Sequence, residues 1–289
     1  YQHGIPYYPK LLSAVPFTPV PGARLLCRDQ DKPALIDGLI DFINEHITGI
    51  SSWHGLFCDE DLAKRCQDQG LMIRHTVQFQ WFNRGYACFD DFLATLTSRK
   101  RKSLRKERQK VTASGVTCRF IEGDEITDIQ LRRFYYFYQS TYMVRGQQGY
   151  LTFDFFSQLV RTMPENVLFL FCYQHGEAIA GAFFLKDAQG LYGRYWGALA
   201  QIPSLHFEAC YYQGIDYCIQ HNIPYFNPGT QGEHKLIRGF EPRLTHSVHW
   251  IADARFRPAI ANFCQQESEQ QRHYLSQCQD ASPYKKDGS

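Results

Sequence analysis

The residues best equipped for chemistry crowd the segment 227–250, which reads NPGTQGEHKLIRGFEPRLTHSVHW. An apolar run at 223–226 stops at Asn227-Pro-Gly229, and beyond it stand Glu233, His234, Lys235, Arg238, Glu241, Arg243, His246 and His249 among few aliphatic residues. An unpaired charge is costly inside a core. A segment this rich in ionisable groups after a buried strand therefore reads as a site-bearing loop; the plain alternative is a polar surface loop. Glu233 or His234 would deprotonate an attacking amine, and Lys235 or Arg238 would stabilise an oxyanion or hold a phosphate. Glu208, at the start of the preceding helix pattern, is a reserve carboxylate.

A second group of candidates lies upstream in LYGRYWGA, residues 191–198. Gly193 and Gly197 interrupt a strand that otherwise favours bulky residues, which points to a bulge or to a ligand close to the backbone. Alternation would put Tyr192, Arg194 and Trp196 on one face, and an arginine in a core sheet needs a partner or a function. Arg194, Tyr195 and Trp196, with Asn227 and Gln231 where the next strand ends, are the candidate substrate contacts.

The basic charge is local. Between Arg99 and Lys110 eight of twelve residues are Lys or Arg against the single acid Glu107, while the whole chain has a net charge of only +2. Such a helix, with Leu104 and Val111 as its aliphatic residues, is solvent-bridging or partner-binding. One reading is a charged connecting helix. The other is a phosphate-contacting arm in which Arg101, Lys102, Arg105 and Lys106 bind a polyanion such as tRNA.

Several chemistries are excluded. GxxxxGK[ST], GxGxxG after a strand, GxSxG and HExxH are all absent, which removes the common nucleotide, hydrolase and zincin readings. Glu233, His234 and His246 match no metal-ligand spacing, so no metal is expected. Ten cysteines are scattered without a CxxC pair, as is usual in a reducing compartment, so the expected location is cytoplasmic. No run approaches the roughly 18 apolar residues of a membrane span. The chain begins at Tyr1 without a basic or apolar leader, so its natural start is expected upstream.

The elements that must position these residues follow from periodicity. Apolar runs at 11–15, 25–26 and 53–57 frame a helical pattern at 33–47, built on Leu35, Leu39, Phe42, Ile43 and Ile47. A further helix is expected at 59–66, capped by Asp59 or Asp61, and an alternating strand at 75–81. A helix at 89–96 continues into the basic run and stops at Ser114-Gly115. After a strand at 116–121, Leu131, Phe134, Tyr135, Tyr138 and Tyr142 form an aromatic stripe that reads as core, and 153–163 is another helix. Strands at 167–173, 178–187 and 191–198 with short Gly-containing connections make an antiparallel meander. A helix carrying Phe207, Cys210, Tyr211, Ile215, Cys218 and Ile219 then leads to Tyr225-Phe226, which adds a parallel pairing and gives a mixed α+β sheet. The polar end at 283–289 is expected to fray.

FDDFLATLTSRKRKSLRKERQKV at 89–111, NPGTQGEHKLIRGFEP at 227–242 and HSVHW at 246–250 resemble the FemAB-like group of N-acyltransferases, a peptidoglycan biosynthesis or recognition group within the GNAT-fold superfamily. The similarity covers almost the whole chain. It implies a GNAT-like α+β fold in two domains with the first incomplete: 1–88 the remainder of that domain, 89–115 a basic connector, 116–255 the second domain and 256–289 a C-terminal helix and tail. It also implies acyl or aminoacyl transfer to a small-molecule or peptide amine, with acyl-CoA or aminoacyl-tRNA as donor. GNAT enzymes that use acyl-CoA place a [RQ]xxGx[GA] loop before the helix that follows the central strand, whereas this connection, 199–206, reads LAQIPSLH without glycine. Fem-type transferases carry a lysine-bearing segment after the last strand pair, near which Lys235 or Arg238 falls. The alternatives are a non-catalytic module of the same fold that recognises a cell-wall precursor, and a nucleic-acid-binding protein resting on the basic helix alone.

Overall fold

The computed structural model describes residues 7–46, 48–230 and 232–285, so Ile47 and the candidate Gln231 lie outside the described residues. In chain order the elements begin with β1 (Lys10–Ser13), α1 (Lys32–Glu45), β2 (Ser52–Cys58), α2 (Glu60–Asp68) and β3 (Met72–Phe82). Then come α3 (Phe89–Thr95), α4 (Ser98–Ala113), β4 (Val116–Glu122), α5 (Asp128–Met143) and α6 (Phe153–Thr162). The meander is β5 (Val167–Gln174), β6 (Glu177–Lys186) and β7 (Leu191–Ala198). A short α7 (Leu205–Phe207), a π-turn at Glu208–Tyr212 and α8 (Gln213–Gln220) lead to β8 (Tyr225–Asn227), a 3-10 turn at Glu233–Arg238, β9 (Glu241–Ile251) and α9 (Arg257–Asp280). The chain divides into two compact units, one running through Gln78 and including Pro242–Ala281, the other comprising Phe79–Glu241 and the residues from Ser282.

In the first unit the strand order is β1-β2-β9-β3, with β1 parallel to β2 and β2 antiparallel to β9. Ile36, Ile40 and Ile43 of α1 recur at helical spacing and pack with Leu62 and Cys66 of α2 on Trp53 and Val248 of the strands. Asp59 caps α2 as expected, accepting from Leu62 N at 2.9 Å. The run at Leu25-Leu26 is not a strand: Leu25 packs on this core while Leu26 is exposed. Helix α9 is largely polar and is tied to β3 by Arg74 on Glu267 (2.5 and 2.8 Å) and by His75 Nδ1 with Ser268 Oγ (2.8 Å).

In the second unit β3 contributes its residues from Phe79, and the order runs β3-β8-β7-β6-β5-β4. The meander is antiparallel and β7 pairs in parallel with β8 through Leu191↔Phe226 and Tyr192↔Asn227, as the strand-helix-strand pattern requires. The aromatic stripe is core: Phe134, Phe137 and Tyr138 of α5 bury against Phe156, Phe169 and Phe183. Each such ring contributes about 1.5–3 kcal/mol by leaving water. Thr127 and Gln130 form a capping box that starts α5.

Three expectations are corrected here. The helix at 89–96 does not run on into the basic segment, because Thr97 N donates to Pro283 O (2.9 Å), Lys285 N donates to Thr95 O (2.9 Å) and Leu96 bridges Tyr284. For the same reason residues 283–285 of the tail are held, and Tyr284 donates its hydroxyl to Gly239 O at 2.6 Å. The alternation expected in β7 also fails. Phe183 faces Tyr195 and Phe184 faces Gly193, which leaves Arg194 as the extra residue of a bulge. Tyr195 thereby enters the aromatic core beside Phe183, while Trp196 meets His206 with ring centroids 5.7 Å apart.

Candidate active site

Strands β7 and β8 pair over only two residues, after which the chain turns away at Pro228. Asn227 builds that turn: its Oδ1 accepts from Gly229 N (3.0 Å) and its Nδ2 donates to Tyr225 Oη (3.1 Å). It is fully buried, so its part is to shape the loop. The loop next enters the 3-10 turn between Gly232 and Gly239, both with positive φ (105° and 86°), a conformation open chiefly to glycine.

Lys235 in this turn is buried and its Nζ donates to Gly229 O at 2.5 Å. Burial pushes its ammonium down to about 8, because low-dielectric surroundings disfavour the charged form. His234 shares a hydrogen bond with Tyr211 through Nε2 at 2.7 Å and lies against Phe207. Loss of solvent and the cations Arg238 and Lys235 lower its affinity for protons. His206, packed near Trp196 and Tyr211, falls to about 4 through desolvation, the neighbouring His234 and the same cations. Both rings are held toward their neutral forms, which suits a proton acceptor. Glu233 is exposed.

Arg238 has another part. It holds Glu107 of α4 at two points (2.8 and 3.1 Å), donates to His234 O (2.6 Å) and lies over the Phe207 ring at 3.5 Å. Tyr212 donates to the same Glu107 carboxylate. Glu208, on the π-turn, accepts from Arg108 (3.0 Å) and Gln213 (2.8 Å) through Oε1. Its Oε2 is buried and meets no hydrogen-bond partner among the described residues. Arg108 also pairs with Asp216 at 2.7 Å. A π-turn of this kind is frequent at functional sites. Here it lines, through Cys210 and Tyr211, a cavity of about 110 Å³ whose other walls include Gly193, Arg194, Trp196 and His206.

A model of the FemAB-like family, described as peptidoglycan biosynthesis/recognition, matches residues 1–286. The chain belongs to the FemAB-like family. Solved structures agree on the fold. FemX is 11% identical with a TM-score of 0.54, over 86% of this chain and 85% of its own. L-PGS from Bacillus licheniformis is 12% identical with a TM-score of 0.59, over 83% and 79%. A C-terminal domain assigned to a lysylphosphatidylglycerol synthetase from Agrobacterium fabrum is 10% identical with a TM-score of 0.59, over 83% and 78%. No curated protein matches the sequence. The fold class is thus α+β, a mixed sheet with flanking helices.

In this FemAB-like chain the structure gathers Arg194, Tyr195 and Trp196 around one cavity and sets His234, Lys235, Arg238 and Glu208 on the turns nearby in the fold. It does not keep 227–250 as one site. From Pro242 the segment is strand β9 of the first unit, where His249 Nδ1 meets His54 Nδ1 at 2.7 Å and His246 packs on His75. Those histidines pair across strands, which the local run of charges hides. Beside them lies the first unit's larger groove, about 980 Å³, lined by residues including His54, His249, Phe256 and Phe263. Helix α4 is not basic all round: Leu104, Glu107, Arg108 and Val111 face the protein body, Arg105 pairs with Asp90 (2.8 Å) and Arg101 approaches Ser98 (3.4 Å). Lys102 and Lys106 stand exposed.

Sequence reasoning missed His206, Glu107, Tyr211 and Tyr212. Glu107 did carry a signal, as the one acid inside a basic run. Among the described residues no three His, Cys, Asp or Glu side chains are grouped to hold a metal ion, and no helix is long and apolar enough to cross a membrane.

Proposed function

We propose that this chain transfers an acyl or aminoacyl group to an amine, with Lys235 at the centre of the chemistry. The observation that carries this reading is a buried lysine, pushed down to about 8, on the turn that follows the split between β7 and β8. An amine attacks the carbonyl carbon of an activated acyl group. The C–N bond forms, the C–O bond of an aminoacyl ester or the C–S bond of a thioester breaks, and the proton lost by nitrogen passes through His234 to the departing atom. In the tautomer whose Nε2–H donates to Tyr211 Oη, Nδ1 is the accepting atom. Lys235, mostly protonated at pH 7, would stabilise the oxyanion of the tetrahedral intermediate.

Aminoacyl-tRNA is the favoured donor, since 199–206 offers no glycine loop for a pyrophosphate and α4 leaves Lys102 and Lys106 exposed. The acceptor is a small-molecule or peptide amine of the cell-wall precursor type, in keeping with the family description. The ten free thiols favour a reducing, cytoplasmic setting. We also read the chain as two GNAT-like domains, and limited proteolysis distinguishes a boundary near residue 115 from one near 79.

A donor screen tests the reading. Charged tRNA and acyl-CoAs are each offered with amine-bearing peptides, and turnover in the parent should fall by roughly 10²-fold in Lys235→Ala. Absence of turnover with every donor sinks it. The commitment of Arg238 and Glu208 to ion pairs favours, as second reading, a module that binds a cell-wall precursor without turnover.

A further inference from the structure

Arg194 is the bulged residue of β7 and a wall of the cavity of about 110 Å³. Its guanidinium is largely desolvated, yet among the described residues it forms no ion pair and no hydrogen bond. Its charged group lies 5.5 Å from the Tyr195 ring, and the other titratable groups near it are the phenols of Tyr150 and Tyr142. Every other buried arginine near the site is matched to an acid: Arg108 to Glu208 and Asp216, Arg238 to Glu107. A half-buried cation without an acid is costly to maintain, and the bulge is what turns it out of the sheet's pairing. The missing partner is an anion brought by a ligand.

The cavity also limits which anion. His206 is held neutral at pH 7, the Cys210 thiol and the Tyr211 and Tyr195 phenols are all pushed up by burial and stay protonated, so Arg194 supplies the single formal charge of the lining. One planar fork of donors matches one carboxylate. A phosphate or pyrophosphate calls for several donors converging from backbone or side chains, and the rest of the wall is Ala182, Phe183, Phe184, Gly193, Trp196 and Pro228. We infer that Arg194 holds a carboxylate of the substrate, so that the amine acceptor is one carrying a carboxylate close to its nitrogen, as an amino acid or a peptide terminus does. This rests on the transferase reading only for the word acceptor.

The test is a binding measurement that needs no turnover. The parent chain, Arg194→Met and Arg194→Lys are melted with glycine, glycinamide or inorganic phosphate at millimolar concentrations. Glycine should raise the parent's melting temperature and glycinamide should not. Arg194→Lys should retain a weaker response, and Arg194→Met should lose it, with affinity down roughly ten- to hundredfold. Without ligand, Arg194→Met should melt at or above the parent temperature, since an unpaired cation has been removed; a purely structural arginine would give a drop. Equal effects of glycine and glycinamide, a response retained in Arg194→Met, or stabilisation by phosphate alone would each overturn the assignment. If glycine binds through Arg194 and no donor gives turnover, the transferase reading fails and this one stands.

Discussion

Arg238 of the 3-10 turn and Glu107 of α4 form a two-point ion pair, Nη2 to Oε1 at 2.8 Å and Nε to Oε2 at 3.1 Å, with side chains only 4% and 17% exposed. Tyr212 completes the arrangement by donating to the same carboxylate. The pair ties the loop bearing His234 and Lys235 to the basic helix, so the geometry of the one depends on the other.

Removing one member leaves a buried charge without its partner, which costs about 3–5 kcal/mol. Glu107→Gln and Arg238→Ala should therefore each lower stability by that order in denaturant melts, with the double variant losing much less than the sum. Loss of turnover in Arg238→Ala would then come with a lower melting temperature, unlike a group that acts only on the reaction. An Arg238→Ala protein that loses turnover while as stable as the parent would make Arg238 a reacting group after all.

The exposed cations of α4 should bind polyanion in proportion to counterions released. Changing Arg101, Lys102, Arg105 and Lys106 to Ala should weaken tRNA binding and reduce the slope of log affinity against log salt by roughly 0.7–0.9 for each phosphate that is no longer neutralised. Arg105 should matter less than Lys102, because Asp90 already holds it. Salt-insensitive binding, or none at low salt, would leave α4 as a connecting helix.

Gly197 belongs to packing. A Cβ there would overlap the backbone carbonyl of Phe137 on α5, and Thr141 of the same helix donates to Trp196 O at 2.7 Å. Gly197→Ala should cost at least the ~1–3 kcal/mol of ordinary overpacking, since a helix backbone yields less than a side chain. A urea midpoint equal to the parent's would show that α5 can retreat and that the glycine serves access to the strand.

What the sequence shows and hides follows the range of the interactions. The meander β5–β7 and the parallel β7–β8 pair are legible because short glycine-bearing connections and a 3.6-residue stripe are local signals. The Arg194 bulge is legible only in part: Gly193 and an arginine out of place in a sheet point to it, but which residue is the extra one is defined by the partner strand. Nor can a local reading divide 227–250, because His249 belongs with His54, which precedes it by 195 positions. Tyr284 is lost in a polar tail for the same reason: its partner, Gly239, is 45 residues away.

Lys235 offers the sharpest test. Its folded affinity for protons is pushed down to about 8 from an ordinary 10.5 by burial. Between those values the unfolded chain binds more protons than the native one, so this residue makes stability rise as pH increases from about 8 to 10.5. Below about 8 both states are protonated and its contribution is constant at its least favourable value. Lys235→Met should abolish that part of the slope, which urea midpoints near the two ends of the window would read. Catalysis separates the roles further. A protonated Lys235 that stabilises an oxyanion gives kcat/KM that falls as pH passes about 8, and Lys235→Met should lose that limb along with roughly 10²-fold in rate. A limb that instead rises through the same pH would make Lys235 the base and demote His234, whereas an unchanged profile in the Met variant would place the chemistry elsewhere.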